Sequence, residues 1–113
     1  MSDPIGKLAV DIYQTATNVV IVAPIAGLTE NEIQIDLNQD ILTISGERRN
    51  YLKKVTAEDY LAHECYWGPF ERKIILPPLL DADKIKADYT NGILKITIPK
   101  ISSDKKKKTI PIT

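Results

Sequence analysis

His63 and Cys65 stand two residues apart, the single histidine and single cysteine of the chain. An imidazole and a thiolate could bind zinc or form a Cys–His nucleophile. Zinc needs four ligands, and the chain offers only carboxylates to complete the set, so no metal site is expected. Alternate residues of a strand share a face, but no oxyanion donor or orienting third group accompanies this pair. It reads as a polar strand face, with Glu64 on the opposite side. The carboxylates are spread over outward strand positions and form no acid/base couple. The chain holds no phosphate-binding G-x-x-x-x-G-K loop, no G-x-G-x-x-G and no G-x-S-x-G. No catalytic residue, metal or cofactor is therefore expected, and the chain is read as a non-enzyme.

Two further pieces carry non-catalytic chemistry. Lys105–Lys108 could serve as a nucleic-acid or membrane patch, but it lacks interleaved aromatics and reads better as a flexible, self-repelling spacer. Beyond it lies Ile110-Pro111-Ile112. Proline fixes φ near the extended region and disfavours helix at Thr109, and in an extended chain both isoleucines project to one side. Burying both would contribute roughly 3–6 kcal/mol, part of which is consumed by ordering the tail. A single contact of this kind is weak, on the order of millimolar, and gains importance when repeated across an assembly. The alternative is a tail that hangs free or folds back onto its own domain.

The elements around these residues follow a period of two. "LAVDIYQT" alternates at Leu8, Val10 and Ile12, and "NVVIVAPI" (18–25) is β-branched and nearly continuous, as suits a strand covered on both faces or a sandwich core strand. "EIQIDL" sets Ile33, Ile35 and Leu37 against Glu32, Gln34 and Asp36. "DILTISGERR", "FERKIIL", "KIKADYT" and "GILKITIP" complete about seven strands, the pattern of an all-β sandwich or barrel. "AGLTEN" and "LNQD" are turns, two prolines keep "LPPLLDAD" out of any central strand, and "TNG" (90–92) is a tight hairpin turn. Residues 50–66, "NYLKKVTAEDYLAHECY", form a longer connection than a compact meander needs. Tyr51, Leu52, Val55, Tyr60, Leu61, Tyr66 and Trp67 make its neighbourhood too apolar for a solvated loop. It holds either a short helix, with Thr56 capping and Asp59 completing a partial capping box, or a strand that pairs with another chain.

The 113 residues suit one domain with a modest core. Fifteen basic and fifteen acidic residues balance, which argues against nucleic acid as a main partner and leaves little protection against self-association. One cysteine allows no intramolecular disulfide and fits a reducing compartment. No apolar run approaches the length needed to span a bilayer, and "MSDPIGK" lacks a signal-peptide pattern, so a cytoplasmic protein with no membrane partner is expected.

The ordered series of motifs resembles the small heat-shock proteins and their α-crystallin domain. "ADYTNGILKITIPK" (87–100) is similar to the family's Ala-x-x-x-Asn-Gly-aliphatic-Leu segment, "WGPFERKIILP" to its G-x-F-x-R segment, and "IPI" to its C-terminal I-x-I motif. The resemblance runs from about Leu8 to Ile112. It implies an immunoglobulin-like sandwich of two antiparallel sheets over residues 8–100, preceded by a short arm (1–7) and followed by a flexible tail (101–113). It also implies that the long loop protrudes and exchanges a strand with a partner to make a dimer. Asp59, Tyr60, Leu61, Ala62, His63, Glu64, Cys65 and Tyr66 stand at that position, and Arg72 would help tie the dimer. The anchor Ile110, Pro111 and Ile112 would dock in an edge groove between the strands around 32–37 and 85–89, usually on a neighbouring dimer. By alternation, core-facing Ile33, Ile35, Leu37, Ile85 and Ala87 are the groove residues for tail or client. The implied activity is ATP-independent holding of partly unfolded client proteins, with release left to ATP-driven chaperones. Members of the family carry a longer, apolar arm, whereas only seven residues precede the first strand run here. The expected unit is a dimer, with small or weak higher assembly through the tail. The alternatives are a CS-type co-chaperone domain, which gives no reason for the long loop or the tail motif, and a nucleic-acid-binding β-domain using the lysine run.

Overall fold

Eight strands arise from the alternating runs: β1 (Gly6–Lys7), β2 (Asp11–Gln14), β3 (Asn18–Pro24), β4 (Ile33–Asn38), β5 (Ile41–Arg48), β6 (Gly68–Ile75), β7 (Lys86–Thr90) and β8 (Ile93–Pro99). The computed structural model describes residues 6–50, 54–101 and 109–113. Tyr51, Leu52 and Lys105–Lys108 lie outside these described residues. One sheet has the order β1-β6-β5-β4 and the other β2-β3-β8-β7. The period of two allows a sandwich or a barrel, and the fold is the all-β sandwich that the resemblance implies. Among the described residues every ladder is antiparallel except β1–β6, which is parallel and two residues long. This pair is a departure from purely antiparallel sheets. It also places Gly6–Lys7, read as part of the preceding arm, inside a sheet.

The core lies between the inner faces of β3 and β8 on one side and β5 and β6 on the other. Ile21, Ile25, Ile44, Ile96 and Ile98 are fully buried there. Val19, Val20 and Ile21 are consecutive and all buried, as the unbroken β-branched run requires. On β5, Leu42 and Ile44 are buried while Ile41 is exposed, so alternation holds. It fails at the first strand. Leu8 is buried but precedes β2, and Ile12 is about half exposed, because β2 begins only at Asp11 and lies at a sheet border.

Two hairpins have tight turns of the kind that permit positive φ. Asn91 (φ 54°) and Gly92 (φ 76°) join Thr90 to its ladder partner Ile93. Two consecutive left-handed residues match the right-handed twist of the flanking strands. Gln39 (φ 58°) turns the β4–β5 hairpin. Gly46 is required for a different reason. A Cβ there would lie 2.7 Å from the Phe70 ring and 2.9 Å from the Glu32 carbonyl oxygen. The missing side chain is the space that Phe70 fills opposite it on β6. The proline-rich connection stays outside the sheets, fastened to the end of β8 by Asp81 N–H to Pro99 O (2.8 Å) and Ile101 N–H to Leu79 O (2.9 Å).

Candidate functional site

The two sheets leave their borders open. β4 ends one sheet and β7 ends the other, and these strands do not pair with each other. Between them is a cavity of about 160 Å³ lined by Ile33, Ile35, Ala87, Tyr89 and Leu94, with the acidic Glu30 and Asp88 also on its lining. Three of the five expected groove residues thus meet here. Leu37 does not. It lines a second hollow of about 170 Å³ with Leu76, Leu80 and Ile98. Ile85 is half-buried and packs on the core just before β7. Ala87 is not core-facing as alternation suggested. It is exposed, because β7 is a border strand whose inner side forms the groove rim. Tyr89 and Leu94 complete the groove without having been singled out in the sequence. The Tyr89 hydroxyl donates to the Ile25 carbonyl and so ties β7 to the segment after β3.

At one end of β4 the chain enters through a single 3-10 turn, Glu30–Glu32. The Thr29 N–H (2.9 Å) and Oγ1 (3.0 Å) both donate to Glu32 Oε1. These hydrogen bonds, backbone first and hydroxyl second, hold the Glu32 carboxyl below the usual glutamate range. The same device recurs in the long loop. Thr56 N–H (3.1 Å) and Oγ1 (2.8 Å) donate to Asp59 Oδ2, lowering the Asp59 pKa by the same two causes.

At the opposite border β2 pairs, among the described residues, only with β3. All four of its residues are exposed, including the large apolar Ile12 and Tyr13. Its outer backbone groups are open to a further strand. The loop segment expected to exchange is not a strand within its own chain. Ala57–Asp59 form one capped 3-10 turn, and residues 60–67 belong to no ladder. Tyr60 stacks on His63 with ring centroids 4.0 Å apart and planes 5° from parallel. Residues three apart on an extended strand point to opposite faces, so this stack marks a curl around Leu61. Leu61 is fully exposed, and Ala62, Glu64 and Cys65 are exposed as well. Tyr66 turns back to the sandwich, where its hydroxyl accepts from the Gly6 N–H (3.0 Å) and donates to the Pro69 carbonyl. Arg72 stands apart from the loop. It is half-buried on β6 opposite Ile44, and its Nη1 donates to the Leu8 carbonyl at 3.2 Å.

The tail anchor does not fold back. Ile110 is 75% and Ile112 99% exposed. No group of three His, Cys, Asp or Glu side chains among the described residues could hold a metal ion. Among them, too, no helix is long and apolar enough to cross a membrane.

A two-sheet sandwich with an apolar edge groove and a long protruding loop is the architecture of an α-crystallin domain. The profile of the Hsp20/alpha crystallin family matches residues 11–113. Heat shock protein 16 of Schizosaccharomyces pombe is 33% identical over 110 residues, 95% of this chain and 77% of that protein. The 17.6 kDa class I heat shock protein 1 of Arabidopsis thaliana is 35% identical over 108 residues, 94% of this chain and 68% of that protein. Among solved structures, a small heat-shock protein from Xylella fastidiosa superimposes with a TM-score of 0.80 at 30% identity, covering 94% of each chain. The chain belongs to the Hsp20/alpha-crystallin family, whose members are small heat-shock chaperones and not enzymes.

Proposed function

We propose that this chain is an ATP-independent holdase that binds apolar segments of partly unfolded proteins and withholds them from aggregation. The observation that carries the reading is the pair of open borders. One is an apolar groove of about 160 Å³ between β4 and β7, and the other is the unpaired β2 edge with Ile12 and Tyr13 exposed. Both surfaces can accept an extended apolar chain, and neither requires a bond to be made or broken. Binding a non-native chain lowers the concentration of the species that aggregates.

The same borders support self-association. The solved Xylella relative is described as having a distinct high-order structure. Here the curled segment 59–66 of one copy would extend along β2 of a second copy, giving a dimer by exchange, with Arg72 steadying the base of that border. Ile110 and Ile112, both exposed, would dock in the β4–β7 groove of a neighbouring dimer. On this reading residues 8–100, together with β1, form the sandwich and 101–113 a linker with an anchor. A reducing cytoplasm suits the exposed, unpaired Cys65.

The deciding experiment is light scattering of a heat-denatured client without ATP, over several chaperone-to-client ratios, with an inert protein as control. Suppression that scales with the ratio is expected. Scattering equal to the control would remove the holdase reading and leave an assembly domain.

A further inference from the structure

A third open surface lies at the end of the sandwich where the long loop rejoins β6. A hollow of about 590 Å³ is bounded by Pro24, Ala26, Tyr66, Trp67 and Ile93, with Arg48 at its wall. Tyr66 and Trp67 are neighbours at the end of the loop and Ile93 opens β8, and each of the three leaves about two fifths of its surface exposed. The volume lies within the range of ligand sites and accommodates a large side chain with its flanking backbone. Among the described residues Arg48 is the single charged one on this lining. Its Nε is sealed from solvent without a hydrogen-bond partner, and its Cζ lies 5.4 Å from the Phe70 ring centre. Among the described residues it makes no ion pair. The guanidinium is thus fixed by packing at an apolar wall, and its charge has no counterpart there. A planar guanidinium favours a carboxylate, which it can meet with two parallel hydrogen bonds from its terminal nitrogens.

We infer that this hollow is a client subsite selective for extended non-native segments in which a large apolar residue adjoins an aspartate or glutamate. The apolar side chain packs against Trp67, Tyr66 and Ile93, and the neighbouring carboxylate meets Arg48. The inference rests on the holdase reading and names the client chemistry that reading leaves open. A second copy is the other candidate occupant. The titration below tells the two occupants apart.

Trp67 is the only tryptophan in the chain, so its emission reports occupancy directly. The probes are acetylated, tryptophan-free hexapeptides with Phe-Glu, Phe-Gln or Phe-Lys at the centre, titrated into the full chain. The Phe-Glu peptide is expected to shift Trp67 emission with a dissociation constant at least tenfold below that of Phe-Lys. Arg48→Gln should abolish the difference while circular dichroism remains that of the folded sandwich. Should Arg48→Gln not fold, the unaltered chain provides the test: raising salt from about 0.05 to about 0.5 M should collapse the Phe-Glu preference. Equal affinities for the three peptides, a preference that survives Arg48→Gln, or a preference indifferent to salt would overturn the inference. So would Trp67 emission that tracks chain concentration with no peptide response, since a second copy would then fill the hollow. Aggregation suppression measured on the same preparations separates the two ideas. Suppression without peptide discrimination removes only the subsite, whereas loss of suppression removes the holdase reading.

Discussion

At the scale of single residues, two side-chain environments make quantitative demands. Gly46 is glycine because Phe70 and the Glu32 carbonyl occupy the place of a Cβ. Gly46→Ala should destabilise the sandwich by about 1–3 kcal/mol, the usual cost of overpacking, read as a lower urea midpoint at unchanged slope. An unchanged midpoint would mean that the Phe70 ring can move aside freely. Glu32 is held ionised by Thr29, so its folded pKa lies below the unfolded one. A depressed carboxylate contributes stability that is present above the unfolded pKa and lost as pH falls through the folded pKa. The turn entering β4 should therefore hold at neutral pH and loosen below about pH 4. A carbon-13 titration of the Glu32 carboxyl should have its midpoint under the usual glutamate value, and a midpoint at or above that value would show that the cap does not form. Little of this was legible in the sequence. Thr56 and Asp59 stood out as a capping pair, but nothing local marked Gly46, whose partner Phe70 lies in another strand.

At the scale of elements, the long loop and the β2 border are one question. Deleting Lys54–Glu64 should convert the proposed dimer to folded monomer by native mass spectrometry, and an unchanged mass in folded protein would refute the exchange. Arg72 anchors the Leu8 carbonyl just before β2, so Arg72→Gly should weaken the dimer at least tenfold in dissociation constant. An unaltered constant would confine its role to the single chain. The regular strands were readable because alternation survives wherever a strand has one buried face, as in Ile33, Ile35 and Leu37. The Asn-Gly turn was readable because two consecutive positive φ angles need such residues. β1 was not, since two residues carry no period and a parallel pairing across the chain leaves no local mark. The loop offered a capped helix or an exchanged strand. The single chain shows the capped turn and a curl, and no ladder holds residues 60–67 straight.

At the scale of the whole molecule, Ile110→Ala with Ile112→Ala should abolish species larger than the dimer in sedimentation while leaving the dimer intact. Persistence of those species would place the higher contacts elsewhere. Family and fold were legible from the ordered motifs, and alternation gave the inward side of Ile33 and Ile35 on β4 but not the exposure of Ala87 on β7. The Arg48 hollow was not, because Pro24, Arg48, Trp67 and Ile93 are brought together only when both sheets have formed. The β4–β7 border has a further consequence, one of valence. Each copy carries one groove and one anchor, so under tail docking the two are always equal in number. A closed shell satisfies all of them, whereas a broken shell frees a groove and an anchor together at every broken joint. Dissociation would then raise capacity for client in strict proportion to the joints lost, and each freed anchor would compete with client for the groove it had just left. Such a system buffers itself, since client must outbid a tethered competitor and is released as the joints re-form.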